Sequence, residues 1–312
     1  MISSMLRAAA AAFLLGAAAA GPGATVASAE TTVTDAGGRT VKIADTSRIV
    51  SIGGDITEIL YDLKADGKII AVDSTSQFPA EAMKTKQVIG YMRALSAEGV
   101  LSTNPTLIIA SKDSGPAEVV NLLKASSVPY VEVPDDKSAE GVAAKIRFVA
   151  SVIGEKEAGE AMAGKVESEF AALAKDRAKI TKPVRAIFVL AVTNGRATIA
   201  GAHTGADAIL KLAGAENAAG DVPGYKPLVD EAAMELAPDV ILTMKHGDNA
   251  MPSDDILSVK GLKMTPAGQN NRIVVMDGLY LLGFGPRSAD AARDLMKALY
   301  PKLAEQSAGI TK

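Results

Sequence analysis

From Arg48 onward the chain alternates short, β-branched apolar runs with longer stretches whose apolar residues recur at helical spacing, the pattern of β-α-β units around a mostly parallel sheet. Ile49-Val50-Ser51-Ile52 is apolar enough for a strand covered on both faces. Gly53-Gly54-Asp55 turns it into a helix over Ile56 to Leu63, with Asp55 placed to cap that helix. Ile69 to Val72 and Thr106 to Ala110 read as the next strands, with a short helix from Leu95 to Leu101, capped by Ser96, between them. A helix from Pro116 to Ser126 and a strand from Tyr130 to Val133 close this unit.

Between Ser138 and Lys179 turn signals nearly vanish. Val142, Ile146, Val149 and Val152, then Val166, Phe170 and Leu173, keep helical spacing, and Gly154 is the expected interruption. A second unit follows, with strands from Ala186 to Leu190, Val240 to Thr243 and Ile273 to Met276, and helices from Thr204 to Leu212, Asp230 to Leu236 and Ser288 to Tyr300. The pattern predicts an α/β protein of two Rossmann-like lobes, 30–137 and 180–312, each built on a mostly parallel central sheet. One long connecting helix over 138–179 joins them, and the ligand belongs in the interlobe cleft.

The first residues do not fit this alternation. Met1 to Ala29 carry one charge, Arg7, followed by an Ala-rich apolar run, a Gly21-Pro22-Gly23 break and Ala27-Ser28-Ala29, the small-x-small pattern a signal peptidase cuts. Residues 1–29 therefore read as a signal peptide and the mature chain as periplasmic. The apolar run is too short to serve as a membrane anchor. Removing the peptide leaves roughly 283 residues with a net charge of about −4.

That mildly acidic balance, without a basic block, argues against nucleic acid as a partner. The sequence has no cysteine, so stability comes from core packing rather than disulfides, and thiolate metal sites, cysteine nucleophiles and iron–sulfur clusters are excluded. With His203 and His246 the only histidines, the sequence also argues against a zinc site built mainly of imidazoles. The chain lacks a Gly-x-Ser-x-Gly elbow, a phosphate-cradling Gly-x-x-x-x-Gly-Lys-Ser/Thr, a Gly-x-Gly-x-x-Gly turn and a His-Glu-x-x-His pair. Binding without chemistry fits these absences better than an enzyme does.

The two units echo each other. Gly90-Tyr91-Met92-Arg93-Ala94-Leu95-Ser96-Ala97-Glu98 leads into Asn104-Pro105 and a strand; Gly224-Tyr225-Lys226-Pro227-Leu228-Val229-Asp230-Glu231 leads into Ala237-Pro238 and a strand. Facing halves would present Tyr91 and Tyr225 from two sides of one cleft. On residue type alone, a tyrosine in such a loop is a half-buried packing residue. A glutamate in the first turn of a helix needs no role beyond favouring the dipole.

Through these blocks the chain resembles the periplasmic substrate-binding proteins that serve ABC importers of haem, siderophores and cobalamin, and most of all their haem-binding branch. The resemblance runs from about Thr31 to Leu303. It is carried by Arg48-Ile49-Val50-Ser51-Ile52-Gly53-Gly54, Asp73-Ser74-Thr75-Ser76, the Gly90 to Gly99 block, Gly224-Tyr225-Lys226-Pro227-Leu228 and Leu282-Gly283-Phe284-Gly285-Pro286-Arg287. It implies capture of ferric haem and its delivery to an ABC permease, with Tyr91 as the iron ligand; a monomer is expected because no long apolar stripe in the sequence demands a partner. A phenolate is a hard anionic oxygen suited to ferric iron. Arg93 then favours the phenolate or binds a propionate, Met92, Leu282 and Phe284 supply apolar contact with the porphyrin, and Tyr225 and Lys226 line the opposite wall or pack the lobe.

Members of that branch often carry an arginine ahead of the glycine where this chain reads Met244-Lys245-His246-Gly247. His246 thus has three readings: a hydrogen bond to Tyr91, a second iron ligand, or a solvated loop residue. His203 is a second axial ligand, a contact to a second haem, or a neutral surface or capping residue. Glu98 and Glu231, one per lobe, match the acidic pair that meets basic residues of the permease. The alternatives are a ferric siderophore or cobalamin on the same scaffold, and an exported tetrapyrrole-modifying enzyme with His203 or His246 as base.

Overall fold

The computed structural model describes residues 30–247 and 249–302; the expected signal peptide lies outside them, as do residues 303–312. In the first lobe the apolar runs form a five-stranded, wholly parallel sheet in the order Gln87–Val88, Ile69–Val72, Ile49–Ile52, Leu107–Ser111, Tyr130–Val133. Ile49–Ile52 is central and fully buried, as its unbroken apolarity requires. The helix after it begins at Gly54, earlier than Asp55 capping would give. Gly53, at φ 126, is the residue that reverses the chain there. Asp55 sits instead in the first turn, and its carboxylate turns inward to Lys145. A hairpin of Thr31–Thr34 and Thr40–Ile43, which lies ahead of the periodic region, packs on the connector.

The second lobe is less parallel than the sequence pattern predicts. Arg185–Thr193, Val240–His246 and Ile273–Asp277 are parallel neighbours. Arg185–Thr193 also turns back through Asn194-Gly195 into Arg196–Ala200, and Tyr225–Pro227 adds antiparallel to that strand. Asn194 and Gly195 both take positive φ, the conformation of a tight two-residue hairpin.

The connector is a pair of helices, Ala139–Val152 and Lys156–Arg177, folded back on one another at Gly154 (φ 82). They approach so closely that a Cβ on Gly159 would lie 2.2 Å from the Cβ of Ala150. The first packs on the N-terminal lobe, and the second, 22 residues long, packs on Ser288–Leu299 and Gly205–Leu212 of the other. A single apolar cluster runs from Ile49 and Leu107 through Val149 and Phe170 to Phe188 and Leu295, so the lobes share a core along this seam.

The lobes also touch directly at the cleft floor. A Cβ on Gly54 would come 2.7 Å from Leu279 Cδ1 of the opposite lobe. Arg287 donates two hydrogen bonds of 2.8 Å to Glu58 and stacks 3.6 Å above the Phe78 ring. Beneath them Lys145, almost fully buried, pairs with Asp55 and, at 2.9 Å, with Asp135.

Candidate functional site

In open α/β sheets a ligand sits outside the carboxyl ends of the strands. Those of the first lobe are organised by Asp73, which is wholly buried. Its carboxylate accepts from the Gly53 amide at 2.9 Å, from the Thr75 amide and hydroxyl at 2.9 and 2.7 Å, and from Ser76 at 3.1 Å. Thr75 in turn accepts from the Gly54 amide. The ends of Ile49–Ile52 and Ile69–Val72 are thereby fixed around one carboxylate, and the tyrosine loop is built on this base.

Gly90, at φ 95, turns the chain and accepts from the Ser74 amide at 2.8 Å. The next turn, held by Ala94 to Tyr91, is stitched to the loop after Leu107–Ser111 by two backbone bonds of 2.9 Å, Gly115 to Met92 and Leu95 to Gly115. Tyr91 projects from this framework 43% exposed. Arg93 donates to its hydroxyl at 2.9 Å and to Asp113 at 3.2 Å. Burial works against the Arg93 charge, but the bonds to Tyr91 and Asp113 outweigh it and hold the guanidinium protonated. The hydrogen-bond donor to Tyr91 is therefore Arg93, and His246 does not fill that place.

Tyr225 is 42% exposed at the edge of the second lobe's sheet. Burial pushes its hydroxyl up, with the Arg93 charge pulling it down and the Asp113 charge pushing it up. Tyr225 and Lys226 are consecutive in a strand, paired to Ala200 and Ile199, and so point to opposite sides of the sheet. They cannot both line one wall; Lys226 turns away.

Two apolar contacts expected from sequence are corrected. Phe284 is 1% exposed: at φ 51 its ring turns inward, and a Cβ on Gly205 would meet it at 3.4 Å. Met92 is 8% exposed and joins the core beneath the tyrosine loop, its sulfur 3.9 Å from Thr75 Oγ1. Leu282 is partly buried against the core that runs between the lobes.

The histidines separate. His246 ends Val240–His246 on the second lobe's wall, exposed and close to Gly278, whose Cβ would lie 3.2 Å from the imidazole Cε1. His203, at φ 62, lies beside the Thr204 cap of Gly205–Leu212. It borders a cavity of about 800 Å³ between the connector and that helix, which none of Tyr91, Arg93, Tyr225 or His246 lines. Glu98 and Glu231 both stand exposed in the first turns of Ala97–Leu101 and Asp230–Leu236. Neither makes an ion pair among the described residues.

Sequence reasoning missed Asp113, Asp73 and the Arg287–Glu58 contact. Asp73 stood in a motif, but nothing in its spacing marks it as the organiser of two strand ends.

Comparison with known proteins agrees with this geometry. The sequence profile of the family described as periplasmic binding protein matches residues 49–279. The structure of the periplasmic heme-binding protein RhuT from Roseiflexus sp. RS-1, in apo form, is 39% identical, covering 83% of this chain and 100% of that one, with a TM-score of 0.78. The periplasmic heme-binding protein BhuT, in complex with two hemes, is 34% identical over 82% of this chain and 98% of that one, with a TM-score of 0.75. The vitamin B12-binding protein of Vibrio parahaemolyticus is 26% identical over 78% of this chain and 86% of its own length.

Proposed function

The chain belongs to the periplasmic binding protein family, and from that premise we propose that it captures ferric haem in the interlobe cleft and hands it to an ABC permease. The observation that carries this is Tyr91, half-exposed in the cleft with a guanidinium on its oxygen, in a chain 39% identical to a heme-binding protein along that protein's whole length. A free phenol ionises near pH 10, so neutral-pH ligation needs help. Ferric iron supplies most of it by bonding the deprotonated form, and Arg93 adds a charge-assisted hydrogen bond to the same oxygen. No bond of the cargo is broken, so the protein acts as a carrier and not as an enzyme. Export through residues 1–29 brings it to the periplasm as a monomer, and Glu98 and Glu231 dock the loaded lobes on the permease.

Cobalamin is the second reading, favoured by relatives named for vitamin B12. Absorbance titration of the mature chain with ferric haem and, separately, with cyanocobalamin distinguishes the two. A saturable Soret shift with haem and no change with cobalamin is expected. Saturable cobalamin binding without a haem response would overturn the proposal.

A further inference from the structure

We infer that Asp113 is a positioning residue: it holds the Arg93 guanidinium on the Tyr91 oxygen. The inference rests on the haem-binding role proposed for Tyr91, but its geometry stands without cargo. Arg93 bridges two acceptors with separate nitrogens, Nη1 to the Tyr91 hydroxyl at 2.9 Å and Nη2 to Asp113 Oδ2 at 3.2 Å. An arginine 55% exposed beside a carboxylate 46% exposed is ordinarily worth little, because ordering two free side chains costs about what the attraction returns.

Here much of that ordering is already present. The Asp113 amide donates to Ser111 Oγ at 3.2 Å and Ser114 closes the turn onto the Ser111 carbonyl at 3.0 Å. Gly115, two residues on, clamps the backbone on both sides of Arg93 through Met92 and Leu95. The two loops are thus fixed relative to each other, and the carboxylate takes one nitrogen of the planar guanidinium while the other faces the Tyr91 oxygen. Without it, Arg93 is a long side chain in solvent, free to leave the phenol for a propionate or for water.

The consequence separates positioning from bare charge. Removing a carboxylate near an arginine that stayed in place would make the arginine's field at Tyr91 stronger. Removing the carboxylate that places it makes the field weaker. Side-chain relaxation of labelled arginine in the cargo-free protein, with Arg93 assigned by its loss in Arg93→Gln, reads whether the guanidinium is held. In Asp113→Asn the order of the Arg93 side chain should fall to that of a free surface arginine, and adding Tyr91→Phe should lower it no further.

An Arg93 side chain as well ordered in Asp113→Asn as in the parent overturns the inference. Loaded with ferric haem, the parent, Arg93→Gln, Asp113→Asn and the double variant give a second readout, the tyrosinate charge-transfer band, which Arg93→Gln should shift less than half as much in the Asp113→Asn background as in the parent. If no protein of the set takes up haem, the proposed cargo fails while the cargo-free relaxation measurement still decides the role of Asp113.

Discussion

Tyr91 and Arg93 are two residues apart in one loop, so the chemistry of the pair is visible in the sequence once the loop is noticed. Asp113 is not, because it arrives from another loop and only the parallel pairing of Ile49–Ile52 with Leu107–Ser111 brings that loop alongside. Phe284 and Met92 show the opposite failure. An apolar side chain beside a motif suits a porphyrin face and a protein core equally well, and only burial separates the two. Lys226 fails for a simpler reason, the two-residue period of a strand. Phe284→Leu should therefore behave as a core substitution. It should lower stability by about 1–3 kcal/mol in denaturant unfolding and leave ferric haem affinity unchanged; weakened binding with unchanged stability would return Phe284 to the cleft.

Among the elements, the strands and long helices were legible because burial on two faces and on one face leaves different periods. The helix break at Gly154 was read from its lack of a side chain, whereas the hairpin at Asn194-Gly195 was passed over although its Asn-Gly pair is a turn signal. What periodicity could not show is how the two connector helices are tied to the first lobe. Burial alone would raise the Asp135 carboxyl, but Lys145 and Lys137 outweigh it and hold it below the usual range. A depressed carboxyl adds stability above its unfolded value of about 3.9, and loses it as pH falls through the folded value. Burial likewise opposes the Lys145 charge, and Asp55 and Asp135 hold it above its ordinary value, so its contribution is complete at neutral pH and lost only in alkali. Lys145→Met strips the inward Asp55 carboxylate of its cation, leaves Asp135 with Lys137 alone, and should cost about 3–5 kcal/mol near pH 7. The gap from the unsubstituted protein should narrow as pH drops through about 4, because protonation relieves the variant while it weakens the parent. Thermal unfolding of both from acid to mildly alkaline pH checks this, and a gap constant with pH would show that the three charges do not tie the connector in this way.

At the scale of the molecule, two lobes share a core along the helical pair and meet again through Arg287, Glu58, Gly54 and Leu279. Burial pushes the Glu58 carboxyl up against the pull of Arg287 at the floor of the cleft. A floor held at several points favours small lobe movements over wide opening. Glu98 and Glu231 lie outside this joint, one on each lobe and both exposed, so they are available to a partner spanning the two. Replacing both by alanine should leave haem binding intact and impair haem import in cells; unimpaired import would remove them from the docking surface. The repetition of the Gly-Tyr block makes this bilateral arrangement legible in the sequence itself, whereas the closeness of the lobes depends on glycines whose need is visible only in contact.

The central claim is that Tyr91 carries the iron, and resonance Raman spectroscopy of the ferric haem complex tests it most directly. Tyrosinate–iron modes should appear in the unsubstituted protein and vanish in Tyr91→Phe, with a severe loss of affinity. Tyrosinate modes that persist in Tyr91→Phe, or a complex that shows none to begin with, would contradict it.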